Sequence, residues 1–398
     1  MTEYYCDKDS GNDAWDGSQA TPGTPPVGPW ENIHKGSEKP MLPGDRLNIA
    51  PATAHYLGMR HNATQGAIAG TAGNPIIFEG SGPGVIIDAP HPVGGSVIVV
   101  QGLGYITLKT LEIYTGTVGS RLVHILDTDH IVMDGCIVDS KTATANTGAN
   151  DIHINQSTDC EIMNCTITGN TGDTSAYHAI HCGNSLPSVL YTVLIHDNVI
   201  TGRNLLFDSG GTNAGWDSCQ VYNNVIHTTD YEGLVLDAFR GSNIYNNLIH
   251  HTTRSAGAAA IYFGTSSGFP ATVNEIKNNT ILTELQDCIS WAGLATSSIN
   301  NYIWNNILFG NTLADVISNV AVPNFWTSGT NKKMGADQSQ ANIDAFLNDF
   351  INVSYSAPTL TVVDAHILEV SQFRDVGLKD YEGRVAPTVD FEGDIRWS

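Results

Sequence analysis

The sequence predicts an all-β chain wound as a parallel β-helix of about nine coils, with a cap at each end. The first observation behind this is a repeat. Tyr222-Asn223-Asn224-Val225-Ile226, Tyr245-Asn246-Asn247-Leu248-Ile249, Lys277-Asn278-Asn279-Thr280-Ile281 and Trp304-Asn305-Asn306-Ile307-Leu308 are copies of one motif. Looser copies stand at Met133-Asp134-Gly135-Cys136-Ile137, Met163-Asn164-Cys165-Thr166-Ile167 and His196-Asp197-Asn198-Val199-Ile200. Their period of about 23 to 33 residues is that of stacked solenoid repeats. The second observation is composition. Only 15% of the 398 residues are charged while Gly numbers 40, a turn-rich balance short of helix formers. The third is a set of triplets with apolar outer members: Val123-His124-Ile125, Ile152-His153-Ile154, Ile180-His181-Cys182, Leu205-Leu206-Phe207, Leu234-Val235-Leu236, Ile261-Tyr262-Phe263 and Ile289-Ser290-Trp291. Alternation along a strand turns the outer members to the core and the middle one outward.

Residues 1–75 read as the N-terminal cap and entry segment. Turn signals crowd it, at Asp9-Ser10-Gly11-Asn12-Asp13, Thr21-Pro22-Gly23 and Leu42-Pro43-Gly44-Asp45. A solenoid has to cover its first layer, because an open strand edge recruits other chains. Residues 76–320 read as the β-helix itself, three short strands to a layer, the Asn corner falling between the second and third. Asn tolerates the left-handed backbone of a tight corner, and its amide can bond the same amide one layer away. The β-branched residues that follow start the next strand. Residues 321–398 read as the C-terminal cap. Ile343, Phe346, Leu347 and Phe350 have helical spacing and place one short amphipathic helix near 340–350.

The formal charge of −22 arises from few bases, 18 Lys and Arg against 40 Asp and Glu. That argues against nucleic acid as a partner, since phosphate binding needs a basic face. An acidic surface also disfavours a polyanionic substrate unless cations bridge the two. No apolar run is long enough to span a membrane, so membrane insertion is not expected. The seven cysteines (Cys6, Cys136, Cys160, Cys165, Cys182, Cys219 and Cys288) include no CxxC pair, and an odd number cannot all pair. They read as buried thiols that pack as small hydrophobes. The opening Met1-Thr2-Glu3-Tyr4-Tyr5-Cys6-Asp7 is not a signal peptide. The expected location is nonetheless extracellular, by secretion or within a phage particle.

Several stretches carry a resemblance. Tyr4-Tyr5-Cys6-Asp7, Ser10-Gly11-Asn12-Asp13, Gly17, Pro29-Trp30, Pro43-Gly44-Asp45 and Gly70-Thr71-Ala72-Gly73-Asn74-Pro75-Ile76 together look like the right-handed β-helix proteins of the pectate-lyase-like superfamily. The resemblance covers cap and repeats. It implies a right-handed coil and an active site in a groove over the first-strand sheet, walled by loops that follow the third strand. The superfamily includes polysaccharide lyases, glycoside hydrolases, epimerases and tailspike depolymerases, so fold alone does not choose among them. Its tailspikes are trimers, which leaves monomer and trimer both open here.

Two outward columns on the first-strand sheet hold the candidate residues. His124, His153 and His181 fall on successive layers about 4.8 Å apart. They read as a stacked ladder, as sugar-binding groups, or as imidazoles sharing one metal ion, although a linear ladder suits tetrahedral coordination poorly. Two residues on, Asp208 and Asp237 take equivalent places in successive layers, so their carboxylates should stand about 5 to 6 Å apart. Carboxyl pairs about 5 to 9.5 Å apart supply the acid and base, or acid and nucleophile, of glycoside hydrolysis. Crowded like charges also raise one pKa and keep that group protonated. The same pair offers oxygen ligands suited to Ca²⁺, and no cofactor is required otherwise. As ordinary turn residues, both Asp would do neither.

Asn155, His178, Arg203, Tyr231, Glu232, Arg240 and Tyr262 surround these columns as candidate substrate-binding residues. The Arg side chains read either as paired donors to sugar oxygens or as surface ion pairs. Three functions follow. The favoured one is a glycoside hydrolase acting on a polysaccharide or oligosaccharide, with Asp208 and Asp237 as the carboxyl pair and His181 assisting. The second is a polysaccharide lyase working by β-elimination on a uronate, Ca²⁺-assisted or with Arg203 as neutraliser. Lyases of the superfamily generally use Lys or Arg as base, and this sheet face offers no Lys, leaving His181 or Tyr262. The third is a non-catalytic glycan-binding or virion structural β-helix.

Overall fold

The computed structural model describes residues 1–310 apart from residue 40 and segments 90–94, 115–120, 141–149, 170–177, 185–189, 210–214, 230–231, 238, 253–258, 265–271, 284–286, 292–300 and 305. Beyond 310 it describes short strands between 326 and 385. The expected helix near 340–350 lies outside the described residues. The chain is an all-β, right-handed parallel β-solenoid, and its contacts divide it into two units, Met1–Gly183 and Asn184–Ser398.

In the first unit the first sheet holds Met59–Asn62, Ile98–Gln101, Val123–Leu126, Ile152–Asn155 and Ile180–Asn184. The second sheet runs from Glu3–Cys6 through Arg46–Ile49, Ile76–Gly80, Ile106–Lys109 and Ile131–Asp134 to Cys160–Met163. The third holds Tyr56–Leu57, Ile86–Ala89, Glu112–Tyr114, Ile137–Asp139 and Thr166–Thr168. The ladder therefore starts inside the segment read as a cap: Met59–Asn62 already pairs in parallel with Ile98–Gln101. Those early strands are two to four residues long between dense turns, and composition there shows the turns more than the strands.

The second unit repeats the plan. Its first sheet is Leu205–Ser209, Leu234–Asp237, Ala259–Gly264 and Asp287–Trp291. Leu234, Val235 and Leu236 pair with Ile261, Tyr262 and Phe263, as the triplet alignment expects. Inward members such as Phe207, Leu236 and Phe263 are buried in the coil. A small extra sheet, Leu190–Tyr191, Gly215–Asp217 and Phe239–Arg240, adds a strand to three coils.

The Asn corners divide the two expected roles between two residues. Where it is described, the first residue of the pair takes the left-handed backbone, at φ 55° for Asn223, 56° for Asn246 and 56° for Asn278. In the first unit Thr110, Gly135 and Asn164 hold the same conformation at φ 50°, 63° and 55°. The second residue is buried and forms the ladder. Asn224 Nδ2 donates to Asn247 Oδ1 at 3.0 Å, Asn247 Nδ2 to Asn279 Oδ1 at 2.9 Å, and Asn279 Nδ2 to Asn306 Oδ1 at 3.0 Å. Each amide thus satisfies polar groups that the corner would leave buried and unpaired. A second ladder, five residues upstream, joins Ser242, Asn274 and Asn301: Asn274 Oδ1 accepts from Ser242 N–H, and Asn274 Nδ2 donates to Asn301 Oδ1. All seven cysteines are free and buried, Cys136 and Cys165 taking the ladder position in the first unit.

Candidate functional sites

In the first unit the pairing register puts His124 beside His153 and His153 beside His181. The rings stack face to face, centroids 5.1 Å and 4.7 Å apart, with planes within 3° and 14° of parallel. His178 meets the His181 ring edge-on at 5.2 Å. This column is not a solvated ladder: His153 is only 6% exposed, and His124 and His181 are half-buried. Asn150 Nδ2 lies 2.9 Å from His181 Nδ1 and donates to it. Gly183 leaves room beside the rings, since a Cβ there would stand 3.2 Å from His153 Nε2.

Arg121 Nη1 sits 3.4 Å from both ring nitrogens of His124, so the guanidinium reaches the imidazole. Burial, then the positive charges of Arg121 and Arg60, pushes His124 down to about 4. Burial first, then the neighbouring imidazoles and Arg121, pushes His153 down to about 2. Both rings are therefore neutral across the physiological range. Asn155 ends its strand beside Gly183 on the adjoining column, half-buried.

In the second unit Leu205, Leu206 and Phe207 pair with Leu234, Val235 and Leu236, so Asp208 and Asp237 each follow a paired residue in adjacent coils. Asp237 pairs onward with Gly264, and a Cβ on Gly264 would overlap Asp237 Oδ1. That same Cβ would lie 3.4 Å from Tyr262 Cε1, so the Asp237 carboxylate and the Tyr262 ring both flank the Gly264 position. Glu232 joins them. Its carboxyl is raised above the ordinary range by burial and then by the charge of Asp237. Tyr262 is raised by burial, then by Glu232 and Asp237. Asp208, Glu232 and Asp237 are half-buried.

Other expected residues lie elsewhere. Arg203 is buried at 3% exposure, away from the role of a solvent-facing clamp. Arg240 Nε bonds Asp217 Oδ1 at 3.0 Å, an ion pair between adjacent coils. Tyr231 lies outside the described residues. Trp216 is core: it is fully buried, and its Nε1 donates to the Asp208 carbonyl. Sequence reasoning missed Arg121 and Asn150. Their signal is positional, because Arg121, Asn150 and His178 each precede the column histidine by three residues, as Glu232 precedes Val235.

The family model described as "Periplasmic copper-binding protein (NosD)" matches residues 112–338, more than half of the chain. The chain belongs to the NosD family. Solved structures give the fold independently of this. Pectate lyase Pel9A superposes with a TM-score of 0.55 at 12% identity, covering 100% of this chain and 96% of its own. The GH136 lacto-N-biosidase from Eubacterium ramulus does so with a TM-score of 0.50 at 12% identity, covering 84% and 68%. At such identity the likeness is one of fold, and it agrees with the superfamily resemblance. No curated protein matches the sequence.

The NosD description names copper, and the described donors do not fit such an ion. Imidazole lone pairs lie in the ring plane, so near-parallel stacked rings point them side by side instead of at one centre. His181 Nδ1 is already engaged by Asn150. Among the described residues, no three or more His, Cys, Asp or Glu side chains are grouped to hold a metal ion.

Proposed function

We propose that this NosD-family chain hydrolyses glycosidic bonds, with Glu232 as the general acid and Asp237 as the partner carboxylate. The observation that carries this is the convergence of Glu232, Asp237 and Tyr262 on one face of the first sheet, with space for the Asp237 carboxylate held open by Gly264. Hydrolysis needs one carboxyl protonated and one ionised, and environments that push the two apart make that assignment. Glu232 is the group pushed up. Asp237 is common to this pairing and to the Asp208–Asp237 pairing expected from sequence. In the present reading Asp208, on the adjoining coil, binds substrate or positions Asp237.

A fold shared with a pectate lyase and a lacto-N-biosidase supports a glycan substrate and leaves elimination as the competing chemistry. The test is to incubate the protein with neutral and uronate polysaccharides, following reducing ends and ultraviolet absorbance together. Glu232→Gln and Asp237→Asn should each lower turnover by about 10²- to 10⁴-fold, the usual worth of a general acid or base. Equal activity of either variant and the parent protein would remove that residue from the mechanism.

A further inference from the structure

We infer that Arg121, together with Arg60 and the histidine column, forms a site in the first unit that binds an oxyanion carried on a sugar, a carboxylate or a sulfate. Three observations carry it. The first is an uncompensated cation. Arg121 is half-buried, and among the described residues its side chain meets the His124 ring and no carboxylate. Burying a guanidinium without a counter-ion is costly, and only desolvation acts on its ionisation. In a chain with 40 acids and 18 bases, a carboxylate partner would be easy to supply.

The second observation is that the charge is concentrated. Arg60 stands on the same outward column, pairing through Val99 with His124, and both Arg side chains act on that ring. Arg60 Nη2 donates to Gln101 Oε1 at 3.3 Å, an amide that also accepts from Asn62 Nδ2 at 2.8 Å. Segments 90–94, 115–120 and 141–149, next in sequence to the strands of Val99, His124 and His153, contain no Asp or Glu, whereas segment 170–177, ahead of His178, contains Asp173.

The third is unspent hydrogen-bonding capacity beside the cation. His153 Nδ1 is buried without a hydrogen-bond partner among the described residues. Buried polar atoms are normally paired, and those left over are where a ligand or water belongs. A planar guanidinium binds carboxylate or sulfate oxygens by two parallel bonds, and neutral imidazoles add donors without adding charge. The sugar ring would lie along the stacked His edges. The inference stands apart from cleavage in the second unit, since a protein that never turned substrate over would still bind here.

The experiment titrates the full chain, at equilibrium by calorimetry, with three tetrasaccharides of one backbone: galacturonate, its carboxyl-reduced neutral form, and a 6-O-sulfated galactose form. If the parent chain cleaves a probe, the titrations are done in the Asp237→Asn background. At least one anionic probe should bind tenfold or more tighter than the neutral one, less tightly as salt rises. Which of the two binds tells carboxylate from sulfate. Arg121→Gln should abolish the difference between anionic and neutral probes, and Arg121→Lys should retain part of it. Equal binding of all three probes by the parent chain would overturn the site, as would an Arg121→Gln protein that is folded by circular dichroism and binds like the parent.

Discussion

The proposed assignment of Glu232 as acid and Asp237 as its partner rests on the surroundings of Glu232. Glu232 is half-buried beside a second negative charge, and both effects disfavour its ionised form. Removing that charge in Asp237→Asn should bring the Glu232 pKa down towards the ordinary Glu value, which carboxyl NMR would register. An unmoved Glu232 resonance titration would mean that the two groups are not in electrostatic reach. The histidine column was legible in the sequence because strand alternation and layer period together fix which residues share a face. Arg121 and Asn150 were not, because they stand before their strands, where no periodicity marks a residue as facing inward or outward. Arg240 illustrates the converse: its chemistry suited a substrate clamp, and only the pairing of Asp217 with Arg240 on adjacent strands shows where the charge is spent.

At the scale of the coil, adjacent Asn residues make opposite contributions. Asn279 Oδ1 accepts from the Asn247 N–H and side-chain amide, while its Nδ2 donates to the Ile244 and Lys277 carbonyls and to Asn306 Oδ1. Asn279→Ala leaves several of these groups buried and unpaired, at about 1–3 kcal/mol for each. Asn278 holds φ 56° with neither side-chain amide atom hydrogen-bonded among the described residues. Glycine adopts that backbone without strain, so Asn278→Gly should change stability by less than about 1 kcal/mol. Urea unfolding of the two variants compares them directly; an equal loss in both would refute the division of roles. The doubled Asn made the principal ladder readable, whereas the Ser242–Asn274–Asn301 ladder was hidden because its members are single residues of two different types. The early strands of residues 1–75 were hidden for a related reason, being too short to show alternation between their turns.

For the whole molecule, pH acts through neutral buried imidazoles. Burial pushes His124, His250 and His153 down to about 4, 3 and 2 respectively. In the unfolded chain each protonates near pH ~6.5, so below that value the unfolded state binds more protons than the folded one. This contribution to stability is therefore full above pH ~6.5 and falls on acidification, by about 1.4 kcal/mol per pH unit for each group, until the folded ring itself protonates. The thermal midpoint should drop between about pH 6.5 and 4, and less steeply in His153→Gln. Identical slopes in parent and variant would show that His153 is not held neutral. Neither the fold nor the net charge of −22 selects the reaction, so the central claim rests on the chemistry of cleavage. The most direct measurement is of the products released from neutral and uronate glycans. New reducing ends without ultraviolet absorbance, lost in Glu232→Gln, are expected. Absorbance rising with the reducing ends would mean elimination and contradict the hydrolytic assignment.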